Sequence, residues 1–238
     1  MKKFYKQLHV FVVALLCLLL VLSFVACTPN KDNQNDMDVN IAKTLYQFSE
    51  DNNKITITKY IGSQTQIELP SSIGGKQVVA IGNNAFYWCT DLTKITISDE
   101  ITNIGNHAFD SCTSLTQVVF KENSQLAQLG ERAFKNCTSL TSINFKECKN
   151  LTTMGDWVLS DCDSLASIVI PDSVENMGYA AFYGCDNLTI YCEAGSQPTT
   201  WENTWKIGDR PVYWYSESQP SAQGDFWHYV DGVATVWG

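Results

Sequence analysis

Ile104–Leu115 reads IGNHAFDSCTSL, and the same sentence is written five times in this chain. IGNNAFYWCTDL starts at Ile81, LGERAFKNCTSL at Leu129, MGDWVLSDCDSL at Met154 and MGYAAFYGCDNL at Met177. The glycines Gly82, Gly105, Gly130, Gly155 and Gly178 are spaced by 23, 25, 25 and 23 residues, and Cys89, Cys112, Cys137, Cys162 and Cys185 keep step with them. Behind each of the first four closing leucines comes an alternating apolar pair: Ile95/Ile97, Val118/Phe120, Ile143/Phe145 and Ile168/Ile170. So many slots recurring at one period mark a repeat architecture.

The physics of stacking explains each slot. One coil of this length cannot bury its own apolar face, whereas coils stacked at strand spacing share a continuous core. Alternate residues of x-I-x-I point inward and outward, so the apolar pairs predict inward ladders. A second inward set precedes the glycines: Val78/Ile81, Ile101/Ile104, Leu126/Leu129, Leu151/Met154 and Val174/Met177. Each glycine is expected where a side chain would clash or a positive φ is needed. The A-F-x-x-C segment is too short for a full helix and predicts one helical or 3₁₀ turn on the convex side. There Phe86, Phe109, Phe134, Leu159 and Phe182 would stack as a spine. The two longer coils carry their extra residues after the inner strand, placing Asn123 and Cys148 in an inward slot. Period and pattern together are the leucine-rich-repeat skeleton. The expected fold is a leucine-rich-repeat solenoid, a right-handed stack of about six coils with short strands, closed by a small aromatic-rich β cap.

The unit IG-xx-AF-xx-C-xx-L-xx-I-x-I resembles the BspA-like, or Treponema pallidum-type, class of bacterial leucine-rich repeats. Ile55–Gly82 resembles the opening coil of such proteins, and Pro211–Trp237 a tail often found behind them. Val158-Leu159 replaces Ala-Phe in one coil, a conservative core exchange. The resemblance implies a surface-exposed bacterial protein, several members of the class being adhesins for host matrix proteins or other bacteria. It implies a scaffold and leaves the ligand open.

The chain opens with Lys2, Lys3 and Lys6 and no acid, followed by the 17-residue apolar run Val10–Ala26. That is the charged n-region and apolar h-region of a secretory signal, and a run of this length also sits at the lower edge of a membrane span. It ends Ser23-Phe24-Val25-Ala26-Cys27. A small residue directly before cysteine resembles a bacterial lipobox, which implies cleavage before Cys27 and a diacylglycerol on its thiol. An ordinary cleaved signal and an uncleaved anchor are the alternatives. Cleavage would remove three lysines and no acid, taking the net charge from −9 to −12. Lipid and not electrostatics would then hold the protein at a membrane. Thr28–Asn40 is polar and rich in Asn and Asp, and reads as a flexible tether. The organisation expected is a signal at 1–26, a lipid-anchored linker at 27–45, first strands and coil at 46–80, repeats at 81–192 and an aromatic tail at 193–238.

Five of the seven tryptophans lie in that tail: Trp201, Trp205, Trp214, Trp227 and Trp237. Pro211–Tyr215, Asp225–Val230 and Val233–Trp237 read as strands, with Asp231-Gly232 a tight hairpin turn. The tail is either a cap over the open solenoid end or a carbohydrate platform built on Trp201, Trp205, Trp214 and Trp227.

No constellation for catalysis stands out. His107 and His228 are the histidines beyond the signal: the slot of His107 holds Asn84, Arg132, Trp157 and Ala180 in the other coils and reads as solvent-facing, and His228 has no cysteine or carboxylate at ligand spacing. C-x-x-C, H-E-x-x-H, G-x-S-x-G and P-loop patterns do not occur, so no cofactor or metal is expected. The acidic balance of 25 Asp+Glu over 16 Lys+Arg speaks against nucleic acid. Seven cysteines follow Cys27, five of them in one slot, and these read as free buried thiols in a ladder. What remains is a surface. The outward residues Lys94, Thr96, Gln117, Val119, Ser142, Asn144, Ser167 and Val169 form one neutral stripe, the candidate face for a protein partner. Tyr87, Trp88 and Tyr183 are further aromatic candidates on the convex side.

Overall fold

The computed structural model describes residues 36–220 and 225–237. The expected signal, Cys27 and the linker up to residue 35 lie outside the described residues. Among those described, no helix is long and apolar enough to cross a membrane.

The chain enters through β1 (Asp36–Met37), α1 (Val39–Leu45), β2 (Tyr46–Asp51), β3 (Lys54–Tyr60), β4 (Gln66–Glu68), β5 (Ser72–Ile73) and β6 (Lys76–Ile81). The repeats then alternate inner strands with two-residue strands. In order they are β7 (Lys94–Ile97), β8 (Asn103–Ile104), β9 (Gln117–Phe120), β10 (Gln128–Leu129), β11 (Ser142–Asn144), β12 (Thr153–Met154), β13 (Ser167–Ile170), β14 (Asn176–Met177) and β15 (Thr189–Cys192). β16 (Val212–Tyr215), β17 (Phe226–Val230) and β18 (Val233–Val236) complete the chain.

The stretch 36–45, read from composition as part of a tether, is folded. Asp38 caps α1, its carboxylate accepting from the N–H groups of Asn40 (2.8 Å) and Ile41 (3.2 Å). Ala42 of this helix is fully buried. β1 pairs in parallel with β5, and Ser72 donates its hydroxyl to Asp36 at 2.7 Å. One cap, one buried methyl and a short strand hold a segment that its polar composition alone would leave free.

The repeats build a β-solenoid of about seven coils with little helix. β6, β8, β10, β12 and β14 run in parallel along one side. On a second side β4, β7, β9 and β11 form a four-stranded parallel sheet, and β13, β15, β16, β17 and β18 a five-stranded mixed sheet. The break between them falls after β11, where Phe145–Glu147 turns into a 3₁₀ helix capped by Asn144, whose side chain accepts from Lys146 N–H at 2.9 Å. The third side is made of turns. The single helical or 3₁₀ turn expected there survives only as isolated i→i+3 bonds, such as Ala85 N–H to Gly82 (3.3 Å) and Tyr87 N–H to Asn84 (3.1 Å). Between them, alternate N–H groups reach the next coil: Asn84 to Asn106 (3.0 Å), Phe86 to Ala108 (2.7 Å) and Trp88 to Asp110 (3.0 Å). This interleaving puts two residues of every coil at positive φ: Asn84, His107, Arg132, Trp157 and Ala180 in one row, Trp88, Ser111, Asn136, Asp161 and Gly184 in the other.

All the inward slots are buried, including the full set of apolar pairs and the spine. Tyr60, Phe86, Phe109 and Phe134 stack along the axis at 5.3, 4.8 and 5.0 Å between ring centres. Leu159 interrupts the column, and Trp205 meets Phe182 edge-on at 5.9 Å to finish it. The slot expected for an inward Asn123 is filled otherwise: Asn123 is exposed at φ 59°, and the neighbouring Ser124 is buried against the Cys148 thiol. Beyond Cys192 the stack continues through a further coil, since β16 pairs in parallel with β15 in the register Ile190↔Val212. β17 then adds in parallel to β16, and β18 folds back antiparallel through Asp231-Gly232, both at positive φ. The hairpin turn read from Asp-Gly is where the pattern placed it.

Candidate functional site

Every inner strand turns one side chain in and the next out, so parallel pairing aligns the outward residues in rows across the coils. Gln66, Lys94, Gln117 and Ser142 form one row, and Glu68, Thr96, Val119 and Asn144 the next. After the 3₁₀ break the rows resume as Ser167↔Thr189 and as Val169↔Tyr191↔Tyr213. All eight residues of the stripe read from sequence therefore lie on one face, each exposed or half-buried. Lys121 lies within 2.6 Å of Glu68 at the β4 end.

The stripe is longer than its eight residues, and its far end has a different chemistry. Tyr191, Tyr213 and Tyr215 continue it outward from β15 and β16, alternating with the buried Ile190, Cys192 and Val212. Tyr191 stacks on Tyr213 at 5.6 Å. Trp227 sits beneath the group and meets Tyr191, Tyr215 and Tyr229 edge-on at 5.4, 5.5 and 4.8 Å. Rings in these offset arrangements reinforce one another. Burial pushes the Tyr229 hydroxyl to a higher pKa, and its hydrogen bond to Glu193 pushes it further the same way. The sequence signal was present but shifted: Leu188-Thr189-Ile190-Tyr191-Cys192 is L-x-I-x-C, one residue short of the L-x-x-I-x-I of earlier coils.

The four tryptophans read as an alternative sugar platform differ in burial. Trp201, Trp205 and Trp227 are buried, and Trp214 packs partly buried against the core. Trp201 donates its indole N–H to the carbonyl of Val174 at 3.0 Å, and Trp227 to that of Cys192 at 2.9 Å. Trp214 keeps part of its surface exposed. Trp201 and Trp205 join the hydrophobic core at this end of the stack.

The repeat cysteines are free thiols, as are Cys148 and Cys192; Cys89 is half-buried and the other six are buried. Cys112, Cys137, Cys162 and Cys185 each donate S–H to a backbone carbonyl of the preceding coil, at 3.1, 3.2, 3.3 and 3.0 Å. Burial pushes Cys89 up to about 11 and Cys148 to about 12, and raises Cys112, Cys137 and Cys192 as well. Protonated thiols without access to solvent are poor nucleophiles. His107 pairs with Asp110 at 2.8 Å, and His228 stacks on Trp237 at 3.6 Å. Among the described residues, no group of three His, Cys, Asp or Glu is placed to hold a metal ion. On the turn side, Tyr87, Trp88 and Tyr183 are exposed, and Trp157 meets Tyr179 and Tyr183 edge-on with Lys135 over its ring at 5.4 Å.

The model of the BspA type leucine rich repeat region matches residues 55–189 in six copies. Among solved structures, a leucine rich repeat protein of T. pallidum is 34% identical, with a TM-score of 0.59, the match covering 62% of this chain and 69% of that one. A leucine rich cell surface protein of Faecalibacterium prausnitzii is 28% identical with a TM-score of 0.56. There the match covers 71% of this chain and 43% of the other, under half its length. No curated protein matches the chain.

Proposed function

Because the chain belongs to the family of BspA-type leucine-rich-repeat proteins, we propose that it is a non-enzymatic protein of the bacterial surface that binds other proteins through its strand face. One observation carries this reading: a rigid face of outward side chains, held in register across successive coils, ends in a cluster of tyrosines. A flat parallel ladder loses little conformational freedom on docking, and tyrosine is among the residue types that concentrate binding energy at protein interfaces. The polar rows from Gln66 to Ser167 would supply complementarity and the aromatic end the anchors. The partner would be a host matrix protein, a host cell protein or a protein of another bacterium.

Placement at the surface is supported by the relative described as a cell surface protein and by the signal-like start. Lipid on Cys27 would tether the domain to the membrane. Replacing Cys27 by alanine should move the protein out of the detergent phase in a partitioning assay; unchanged partitioning would dispose of the lipid.

The reading is tested by presenting the protein to immobilised matrix proteins, mucins and bacterial glycans. A saturable protein ligand, lost with Gln117→Lys and Asn144→Lys together, is the expected result. Binding that survives those changes would move the function off the strand face.

A further inference from the structure

The aromatic end of the strand face opens into a cleft of about 250 Å³ walled by Lys149, Asp172, Glu193, Tyr215 and Tyr229. Three loops meet there: Lys149 follows the 3₁₀ break, Asp172 follows β13 and Glu193 follows β15. Tyr215 and Tyr229 stand 6.3 Å apart between ring centres with their planes tilted by 48°. The side chain of Glu193 is only 15% exposed. One of its oxygens, Oε1, accepts the Tyr229 hydroxyl at 2.7 Å. The other, Oε2, faces the Lys149 ammonium at 3.6 Å, and Lys149 is 62% exposed.

These facts describe a carboxylate with one oxygen satisfied by the protein and the other loosely shared. Charge-assisted N–H···O contacts close to about 2.7–2.9 Å when firmly made, and an ion pair to a largely exposed lysine is weak and readily exchanged. With two carboxylates against one ammonium, the cleft keeps a net negative charge even while Lys149 stays. Tyrosine rings add attraction for a cation over their faces. A carboxylate or phosphate entering here would meet Asp172 and Glu193 at close range. A chain of net charge −9 also favours partners with basic surfaces.

We infer that this cleft receives an arginine side chain of the bound protein, the guanidinium lying over Tyr215 and Tyr229 and taking the Glu193 oxygen that Lys149 holds in the free molecule. A guanidinium suits the position better than an ammonium because it is planar, stacks on aromatic faces and is more weakly hydrated. Lys149 then acts as an internal competitor. The inference rests on the strand face being the protein-binding surface and names the chemistry of its anchor.

The test uses the full-length chain in mild detergent and the peptide acetyl-Gly-Gly-Arg-Gly-Gly-amide, with citrulline and glutamate versions as controls. Binding is followed through the aromatic resonances of Tyr215 and Tyr229. The arginine peptide should shift both rings saturably, and the controls should bind at least about tenfold more weakly. Glu193→Gln, Asp172→Asn and Tyr215→Leu should each weaken it, whereas Lys149→Ala should tighten it several-fold. That gain of affinity is an outcome a misfolded variant would not produce. Citrulline binding as well as arginine, or Lys149→Ala failing to tighten, would overturn the inference. So would a neutral disaccharide shifting the same rings where the arginine peptide does not. If the peptide fails while a protein ligand is still lost with the Gln117 and Asn144 changes, the cleft is wrong and the strand-face reading stands.

Discussion

Phe109 and Phe134 lie one coil apart with ring centres at 5.0 Å and planes within 1° of parallel. Both are fully buried. Their stack is the last ring-on-ring step of the column that runs through the turn side: Phe109 lies between two phenylalanines, and Phe134 between Phe109 and the slot of Leu159. Removing one should therefore open a cavity that rigid coils cannot close. Phe134→Ala should destabilise the fold by about 3–5 kcal/mol. Phe134→Leu should lose less, about 1 kcal/mol, because Leu159 already occupies the equivalent slot one coil on. Urea unfolding of the two variants gives the comparison; equal losses would mean that the column is not packed ring on ring.

The repeat glycines answer to space. None of Gly82, Gly105, Gly130, Gly155 or Gly178 is at positive φ. A Cβ on Gly130 would stand 2.6 Å from the backbone nitrogen of Asn106 in the coil before. On Gly82, at the start of the series, the nearest atom would be the Ile57 carbonyl oxygen at 3.1 Å. Gly130→Ala should thus push two coils apart and destabilise by about 3 kcal/mol, at the upper end of overpacking effects. Gly82→Ala should lose clearly less. Measured stabilities in the reverse order would contradict close approach as the reason for glycine.

Trp88 occupies a left-handed position, φ 60°, with 63% of its surface exposed. The equivalent residues in the other coils are Ser111, Asn136, Asp161 and Gly184, three of them types that tolerate this conformation or adopt it freely. For a bulky residue the left-handed region is disfavoured by roughly 1–2 kcal/mol, and little burial offsets it here. Trp88→Asn should raise stability by about 1 kcal/mol and the thermal midpoint by about 2–4 °C. An unchanged or lower midpoint would mean that the indole makes contacts worth as much as the strain.

Much of the core was legible because it repeats: the inward pairs, the spine and the thiol ladder lie in the slots that the period assigned. Three features were hidden for identifiable reasons. The coil of Leu188 carries one residue fewer between Leu188 and Ile190, and the coil after it has no A-F-x-x-C turn, so Tyr191 and Tyr213 could not be placed on the face. The helix Val39–Leu45 has neither the length nor the apolar stripe that announces a helix. The paired left-handed residues are masked by their occupants: His107, Arg132, Trp157 and Ala180 are not turn formers, and the conformation is imposed by N–H groups that must reach alternately back and across to the next coil. The candidate face was half legible. Its polar rows follow from strand alternation, whereas its cleft needs three loops distant in sequence to meet.

The thiol ladder should make this protein sensitive to alkali. An unfolded cysteine titrates near pH 8.5. In the folded protein, burial raises Cys89 to about 11 and Cys148 to about 12, and holds Cys112, Cys137 and Cys192 higher than in the open chain. Above pH 8.5 the unfolded chain therefore binds fewer protons than the folded one, and stability falls as pH rises. Well below that pH these five thiols are protonated in both states and contribute no slope. Each fully buried thiol steepens the loss by up to about 1.4 kcal/mol per pH unit, so the sum should exceed ~2 kcal/mol by pH 10, ahead of most tyrosine and lysine titration. Urea unfolding between pH 7 and pH 10 would show it as a falling midpoint. Cys137→Ala should make the slope shallower by about one thiol's share, whatever it does to stability at pH 7. A flat profile, or the same slope with and without Cys137, would mean that these sulfurs reach solvent in the folded state and are open to reaction there.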